Sequence, residues 1–263
     1  MTNQPSEFFI KSVNKGLFPH YLYQYRAIND NTIKTITDNE LFFSNPYDFN
    51  DPYDCNVSVE RNSSEEEIRK WGFRLGANKE NIDWVVQQIK ADPGYIQKIV
   101  RDNLSHCGIC CFSTIFDSIL MWSHYADYHK GICLKFDITK DPDLFNPPLE
   151  VKYSRVLPHY DHFISDEKNF FEKCIQTKYA NWSYESEFRI FKTEEHINRN
   201  KSRIFKFKNE ALIEIIFGTN TSEESMRSIK NLCKNNGKSH VTFSKMKLKE
   251  GIHYGVEKDP SFI

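Results

Sequence analysis

Glycine is scarce, with 10 residues in 263. No G-x-G-x-x-G and no G-x-x-x-x-G-K-[ST] occurs, so the common dinucleotide fingerprint and the P-loop are both absent. No G-x-S-x-G marks a hydrolase nucleophile elbow, and no H-E-x-x-H marks a zinc protease. No apolar run approaches the ~20 residues that a membrane span needs. The start, Met1-Thr2-Asn3-Gln4-Pro5, lacks a basic-then-apolar signal pattern, so no membrane partner is expected. Seven cysteines are an odd number, irregularly spaced, and read as reduced thiols of a cytoplasmic protein. Only Cys107-x-x-Cys110, beside His106 and Cys111, has metal-like spacing. A structural zinc site needs a second such pair, so these read as small apolar residues of a buried strand, and no metal is expected.

What is present is an aromatic-rich chain, with 21 Phe, 13 Tyr and 39% hydrophobic residues. That is enough apolar material for one large domain, or a domain with a small helical insertion. The net charge is −1, but unevenly spread. Residues 199–249 hold twelve Lys and Arg against four Asp and Glu, leaving the remainder acidic. Such a segment can form a basic face toward an anionic partner such as RNA or DNA, or can simply be solvated lysines on ordinary faces.

Hydrophobic spacing predicts strands over 22–26 and 41–44, with a helix-like stretch over 31–39 between them. Residues 63–105 read as a helical insertion. Ser63 or Ser64 caps it, Glu65, Glu66 and Glu67 favour the positive helix end, and Pro93-Gly94 interrupts it. Next come a strand over 109–113, a helix capped by Asp117 or Ser118 and running to about Tyr128, and a strand over 132–137. Strands over 204–207 and 212–217, a helix capped by Thr221 or Ser222, and a strand over 240–246 complete the chain.

Three segments carry chemistry. In Trp182-Ser183-Tyr184-Glu185-Ser186-Glu187-Phe188-Arg189, strand alternation puts Glu185, Glu187 and Arg189 on one face. That face is either a site or a solvated row of alternating charge. In Leu22-Tyr23-Gln24-Tyr25-Arg26, a terminal arginine can take a phosphate through its planar fork, or form a structural ion pair. Phe49-Asn50-Asp51-Pro52 downstream is a turn signature. In Met121-Trp122-Ser123-His124-Tyr125-Ala126, aromatic and hydrogen-bonding groups crowd one helix, either as core or as a stacking surface.

Taken in this order, the aromatic-Arg strand, the Phe-Asn-Asp-Pro turn, the Met-Trp-Ser-His-Tyr-Ala helix with its Lys-Gly stop, and Trp-x-Tyr-Glu-x-Glu-x-Arg resemble a widespread bacterial domain family of unknown function. Some of its members sit in phage-defence and toxin–antitoxin loci. The resemblance covers roughly residues 20–220. That family in turn resembles ADP-ribosyltransferases. The implied fold is α+β, a split, mostly antiparallel sheet of ADP-ribosyltransferase-like type with a helical insertion. The implied activity is NAD-dependent ADP-ribosyl transfer by a toxin or defence effector, with NAD as substrate and a neutralising antitoxin as a further partner.

Residue by residue, the resemblance implies that Arg26 holds NAD through phosphate or ribose. Tyr125, or the strand-borne Ser113, packs against nicotinamide. Glu187 engages the nicotinamide ribose, and Glu185 assists the incoming nucleophile. Tyr25, Asn50, Asp51, Trp122 and His124 join Arg26, Ser113 and Tyr125 as NAD-binding candidates. The Ser-Thr-Ser of one transferase class is absent, and only Ser113-Thr114 is similar to it. Breaking the ribose–nicotinamide bond builds positive charge on the sugar, which a carboxylate can stabilise. The competing readings are a metal-dependent nuclease or nucleotide hydrolase using Glu185, Glu187 and Asp51 or Asp54, and a non-catalytic binding or sensor module.

Overall fold

Burial alternates along Tyr21–Arg26: Leu22 is fully buried toward one side, and Tyr23 and Tyr25 are buried toward the other. Aromatic residues at period two favour a strand covered on both faces. The computed structural model describes residues 4–59, 63–92, 94–163 and 167–262. Its strands, in chain order, are β1 (Tyr21–Arg26), β2 (Glu40–Phe42), β3 (Ser58–Val59), β4 (Gly108–Ser113), β5 (Ile132–Asp137), β6 (Pro148–Glu150), β7 (Lys152–Ser154), β8 (His159–Tyr160), β9 (Thr177–Tyr179), β10 (Glu187–Lys192), β11 (Ile204–Lys206), β12 (Leu212–Phe217), β13 (Thr242–Leu248) and β14 (Val256–Lys258).

Eight strands form the main sheet in the order β14-β13-β12-β5-β1-β4-β10-β6. Within it every pairing is antiparallel except that of β12 and β13. The helix Glu223–Asn235 connects those two, as a parallel pair requires a crossover. The protein is therefore an α+β fold built on a large, mostly antiparallel sheet.

One joint in this sheet is nearly open. β1 pairs with β5 at six positions, and β10 pairs with β4 at six, but β1 meets β4 only at Tyr23 and Ser113. Beyond that point β1 and β4 diverge, and Gln24 spans the gap with a hydrogen bond from its amide to the Cys111 carbonyl (3.2 Å).

One face of the sheet carries a single large core, including Leu22, Cys110, Phe112, Phe136, Ile190 and Phe217. The opposite face is covered in two pieces. Tyr23, Tyr25, Cys133 and Ile216 pack against Met121 and Trp122 of the helix Ile119–Tyr125. Ile109 packs with Val57, Val86, Val100 and Leu104, and Cys111, Leu149 and Phe191 lie against the same cluster.

The insertion expected over 63–105 is three helices, Glu65–Arg74, Ile82–Ala91 and Tyr95–Ser105. Ser64 caps the first in a capping box with Glu67. Gly94 stands before the third, while Pro93 lies outside the described residues. Ser118 and Ser222 are the caps used by their helices.

Three expectations need correction. The helix from Ser118 stops at Tyr125, not Tyr128, because Asp127, Tyr128 and His129 turn left-handed (φ 45°, 54° and 68°). The aromatic run near 182 is not all strand: Ala180–Glu185 forms a short 3-10 helix, Ser186 takes φ 45°, and β10 begins at Glu187. Glu185 therefore reaches the site from a helix end and not from a strand face. The strand expected at 240–246 runs from Thr242 to Leu248.

Candidate functional site

Where β1 and β4 separate, a cavity of about 370 Å³ opens. That is within the usual range of small-molecule sites, roughly 300–1,000 Å³. Seven of the ten candidate residues line it: Tyr25, Arg26, Asn50, Ser113, Tyr125, Glu185 and Glu187. Three do not. Trp122 is fully buried, its indole N–H donating to the Phe116 carbonyl (2.8 Å), and serves the core. His124 lies outside the cavity, its Nδ1 2.9 Å from the Tyr184 hydroxyl. Asp51 is buried in its turn, where Oδ1 accepts from the Tyr53 amide (2.8 Å). Tyr25 contributes only its ring, because its hydroxyl donates to the Ile115 carbonyl (3.0 Å).

Ser113 organises the centre. It stands opposite Tyr23 on β1 and opposite Glu187 on β10. Its Oγ donates to the Glu185 carbonyl (2.6 Å) and accepts from the Ile115 amide (3.1 Å). The serine thereby ties the 3-10 helix end to the strand, and brings Glu185 beside Glu187 although the two occupy different elements.

Asp54, Lys178, Glu185 and Glu187 of the cavity wall form a buried ionic cluster with Arg189 behind them, each under 8% exposed. Arg189 Nε donates to Glu187 Oε1 (2.8 Å), and Nη2 donates to both Asp54 oxygens (2.7 and 2.8 Å). Its Nη1 donates to the Ile175 carbonyl (2.6 Å). Lys178 Nζ donates to Glu185 and to Glu187 Oε2 (3.0 Å), and lies 3.3 Å from Asp54 Oδ2. The Tyr125 hydroxyl donates to Glu185 Oε1 (2.5 Å).

Three carboxylates face two cations, so one negative charge is in excess. Its burden falls unequally. Burial alone would raise the Glu187 carboxyl, but Arg189 and Lys178 outweigh it and hold the group at about 2. Burial pushes the Glu185 carboxyl up, and the Glu187 charge adds to the rise. Adjacent carboxyls pushed apart in this way suit distinct roles, one permanently ionised and one able to take a proton. Lys178, despite its burial, is held above the ordinary lysine value by Glu187, Asp54 and Glu185. The thiols lining the cavity are no nucleophiles, since burial pushes both Cys110 and Cys111 up.

Arg26 is the opposite case. Its Nε donates to Gln24 Oε1 (2.9 Å), and among the described residues it forms no ion pair. Burial pushes its guanidinium down with no carboxylate to offset the effect. A cation facing a cavity without a counter-ion is incomplete, and an anionic ligand would complete it.

Lys178 is not distinguished by its sequence context, one lysine in a Thr-Lys-Tyr stretch. Its importance arises only where β9 places it against β10. The basic segment 199–249 contributes no residue to the cavity. Arg203 donates to the Cys107 and Ser105 carbonyls (2.6 and 2.7 Å), and Lys238 is buried on the Asn39 and Asn209 amide oxygens. Arg199, Lys208 and Lys247 face Glu195, Asp143 and Glu257. Among the described residues no helix is long and apolar enough to cross a membrane.

The site thus defines an α+β domain whose divided sheet encloses an arginine, a tyrosine and a pair of glutamates. Residues 121–190 match a family described as a protein of unknown function (DUF2971). The matched span runs from Met121 to Ile190. It holds Tyr125, Lys178, Glu185, Glu187 and Arg189, and leaves out Arg26, Asn50 and Asp54. Comparison with curated proteins and with solved structures gives no match.

Proposed function

We propose that the protein is an NAD-dependent ADP-ribosyltransferase of the toxin or phage-defence kind, with NAD as substrate. The observation that carries this reading is one cavity with an uncompensated guanidinium, Arg26, and a carboxylate pair, Glu185 and Glu187. A substrate with a phosphate at one end and a sugar bearing developing positive charge at the other matches that polarity. Arg26 binds the anionic part. Glu187, kept ionised by Arg189 and Lys178, stabilises the charged sugar. Tyr125 and Lys178 orient Glu185, whose raised carboxyl is suited to take the proton of the attacking group. A metal-dependent nuclease fits less well. Asp54, Glu185 and Glu187 are already engaged by Lys178 and Arg189, and among the described residues no group of three potential ligands stands ready for a metal.

A second reading has one observation in its favour. Lys178 contacts both glutamates, so the cavity can also serve as a non-catalytic sensor of an anionic nucleotide. Incubation of the protein with NAD in the presence of EDTA separates the two. Release of nicotinamide is expected for the transferase. Saturable NAD binding without release would leave the sensor, and neither would remove both.

A further inference from the structure

A second cavity, of about 240 Å³, lies on the far side of Lys178, which lines both. Its walls are Tyr53, Tyr179, Val156 and Leu157, with Arg155 among them and no acidic residue. These side chains are unusually open for their type. Tyr53 is 63% exposed, Tyr179 46% and Val156 76%. Such a patch beside a deep polar site marks a place where something docks. Two tyrosine rings standing free in water present stacking faces.

The surrounding charge says what docks. Arg155 has no ion pair among the described residues. Lys173 donates to the His159 carbonyl (2.8 Å), one residue from Pro158 in the wall. Lys152, paired in register with Thr177, is matched by Glu172 (2.8 Å). Aromatic faces beside an unpaired guanidinium are an arrangement that takes bases by stacking and a phosphate by charge.

We propose that this second cavity binds single-stranded nucleic acid, with a base against Tyr53 and Tyr179 and a phosphate at Arg155. The basic segment 199–249 is then not the contact: none of its residues lines this cavity, and Arg203, Lys208 and Lys238 are engaged by carbonyls, carboxylates and amides.

The test is fluorescence anisotropy of a fluorescein-labelled ten-nucleotide oligo-dT strand with the full chain, in the absence of NAD. Binding should weaken with salt, and Arg155→Gln should lower the slope of log affinity on log salt by about 0.7. Tyr53→Ala with Tyr179→Ala should weaken binding by about tenfold or more. Both tyrosines are exposed, so melting temperatures should stay near the parent value and confirm folding. Binding that persists in these variants but is lost in Lys201→Gln, Lys206→Gln, Lys208→Gln would overturn the proposal in favour of the basic segment. No binding of the strand, with capture of an aromatic peptide instead, would overturn it in favour of a protein partner. Nicotinamide release is read separately. Its absence from the parent protein would remove the transferase reading and leave this one standing.

Discussion

At the scale of single residues, Arg26 and Glu187 are opposites. Arg26 has no acidic partner among the described residues, so Arg26→Lys should leave the melting temperature almost unchanged. The planar fork is lost, however, and NAD binding measured by calorimetry should weaken about tenfold or more. A fall of several degrees in melting temperature with unaltered binding would make Arg26 structural. Glu187 accepts from two buried cations, and its loss takes away the charged acceptor of Arg189 Nε and one of those of Lys178 Nζ. Glu187→Gln should therefore cost about 3 kcal/mol at pH 7, besides lowering nicotinamide release at least a hundredfold. The pH dependence has a definite sign. The folded carboxyl titrates at about 2 against an ordinary value of 4.5. Its contribution is complete above pH 4.5 and is lost as pH falls toward 2, about 3 kcal/mol in all. Glu185, shifted the other way, favours the fold at low pH and loses that contribution as pH rises through its raised value. Parent and Glu187→Gln melting curves should thus differ most at neutral pH and converge near pH 2. A constant gap across that window would mean that Glu187 is not held low by its neighbours.

Among the elements, the turn after the helix Ile119–Tyr125 has the tightest tolerance. Asp127, Tyr128 and His129 are three successive left-handed residues, a conformation that non-glycine residues keep only when their surroundings hold it. Here the restraint comes from the end of β12. The Asn220 amide donates to the His129 carbonyl (3.0 Å), and the Thr221 hydroxyl donates to the Gly131 carbonyl (2.8 Å). A Cβ on Gly218 would lie 2.1 Å from the His129 carbonyl oxygen, so a side chain cannot fit unless the loop retreats. Gly218→Ala is expected to destabilise by about 3 kcal/mol, a fall in Tm of roughly 6–12 °C. Gly131 behaves similarly against the Arg26 carbonyl, at 2.2 Å, which couples this turn to the end of β1. An unchanged Tm for Gly218→Ala would show that the turn is free to move.

For the whole molecule, the three-helix insertion is part of one core. Val86, Val100 and Leu104 from the insertion cluster with Ile109 of β4, and Phe191 of β10 packs against them. Removing the helices would uncover one half of a sheet face, and burial of that face is what stabilises both parts. Calorimetry should give a single unfolding transition with no earlier loss of the insertion, and limited proteolysis should release no fragment over 63–105. An early separate transition would show that the helices stabilise themselves.

Local rules carry much of this chain. Short apolar or aromatic runs mark β1, β4, β5 and β12, the last three of which are buried on nearly every residue. Helical spacing marks the insertion with its break at Pro93-Gly94, whereas the break between Arg74 and Ile82 that divides it further appears only in the structure. Ser64, Ser118 and Ser222 cap helices because a short side-chain oxygen accepts from a free amide wherever it occurs in sequence. Candidate residues on three distant segments, Arg26, Tyr125 and Glu187, can be named because their types suit a nucleotide. Sequence does not assign their electrostatic state. Glu185 and Arg189 look alike as charges on one strand, yet one belongs to a 3-10 helix end and the other to β10. Whether Arg26 is paired, and whether Glu187 titrates high or low, depends on Lys178, Asp54 and Arg189 arriving from elsewhere in the chain. Such contacts come from which strands neighbour each other and from the single β1–β4 pairing that opens the cavity. Alternation of side chains is a property of the local backbone, whereas charge compensation in a buried site is a property of space, and only the tertiary structure decided it.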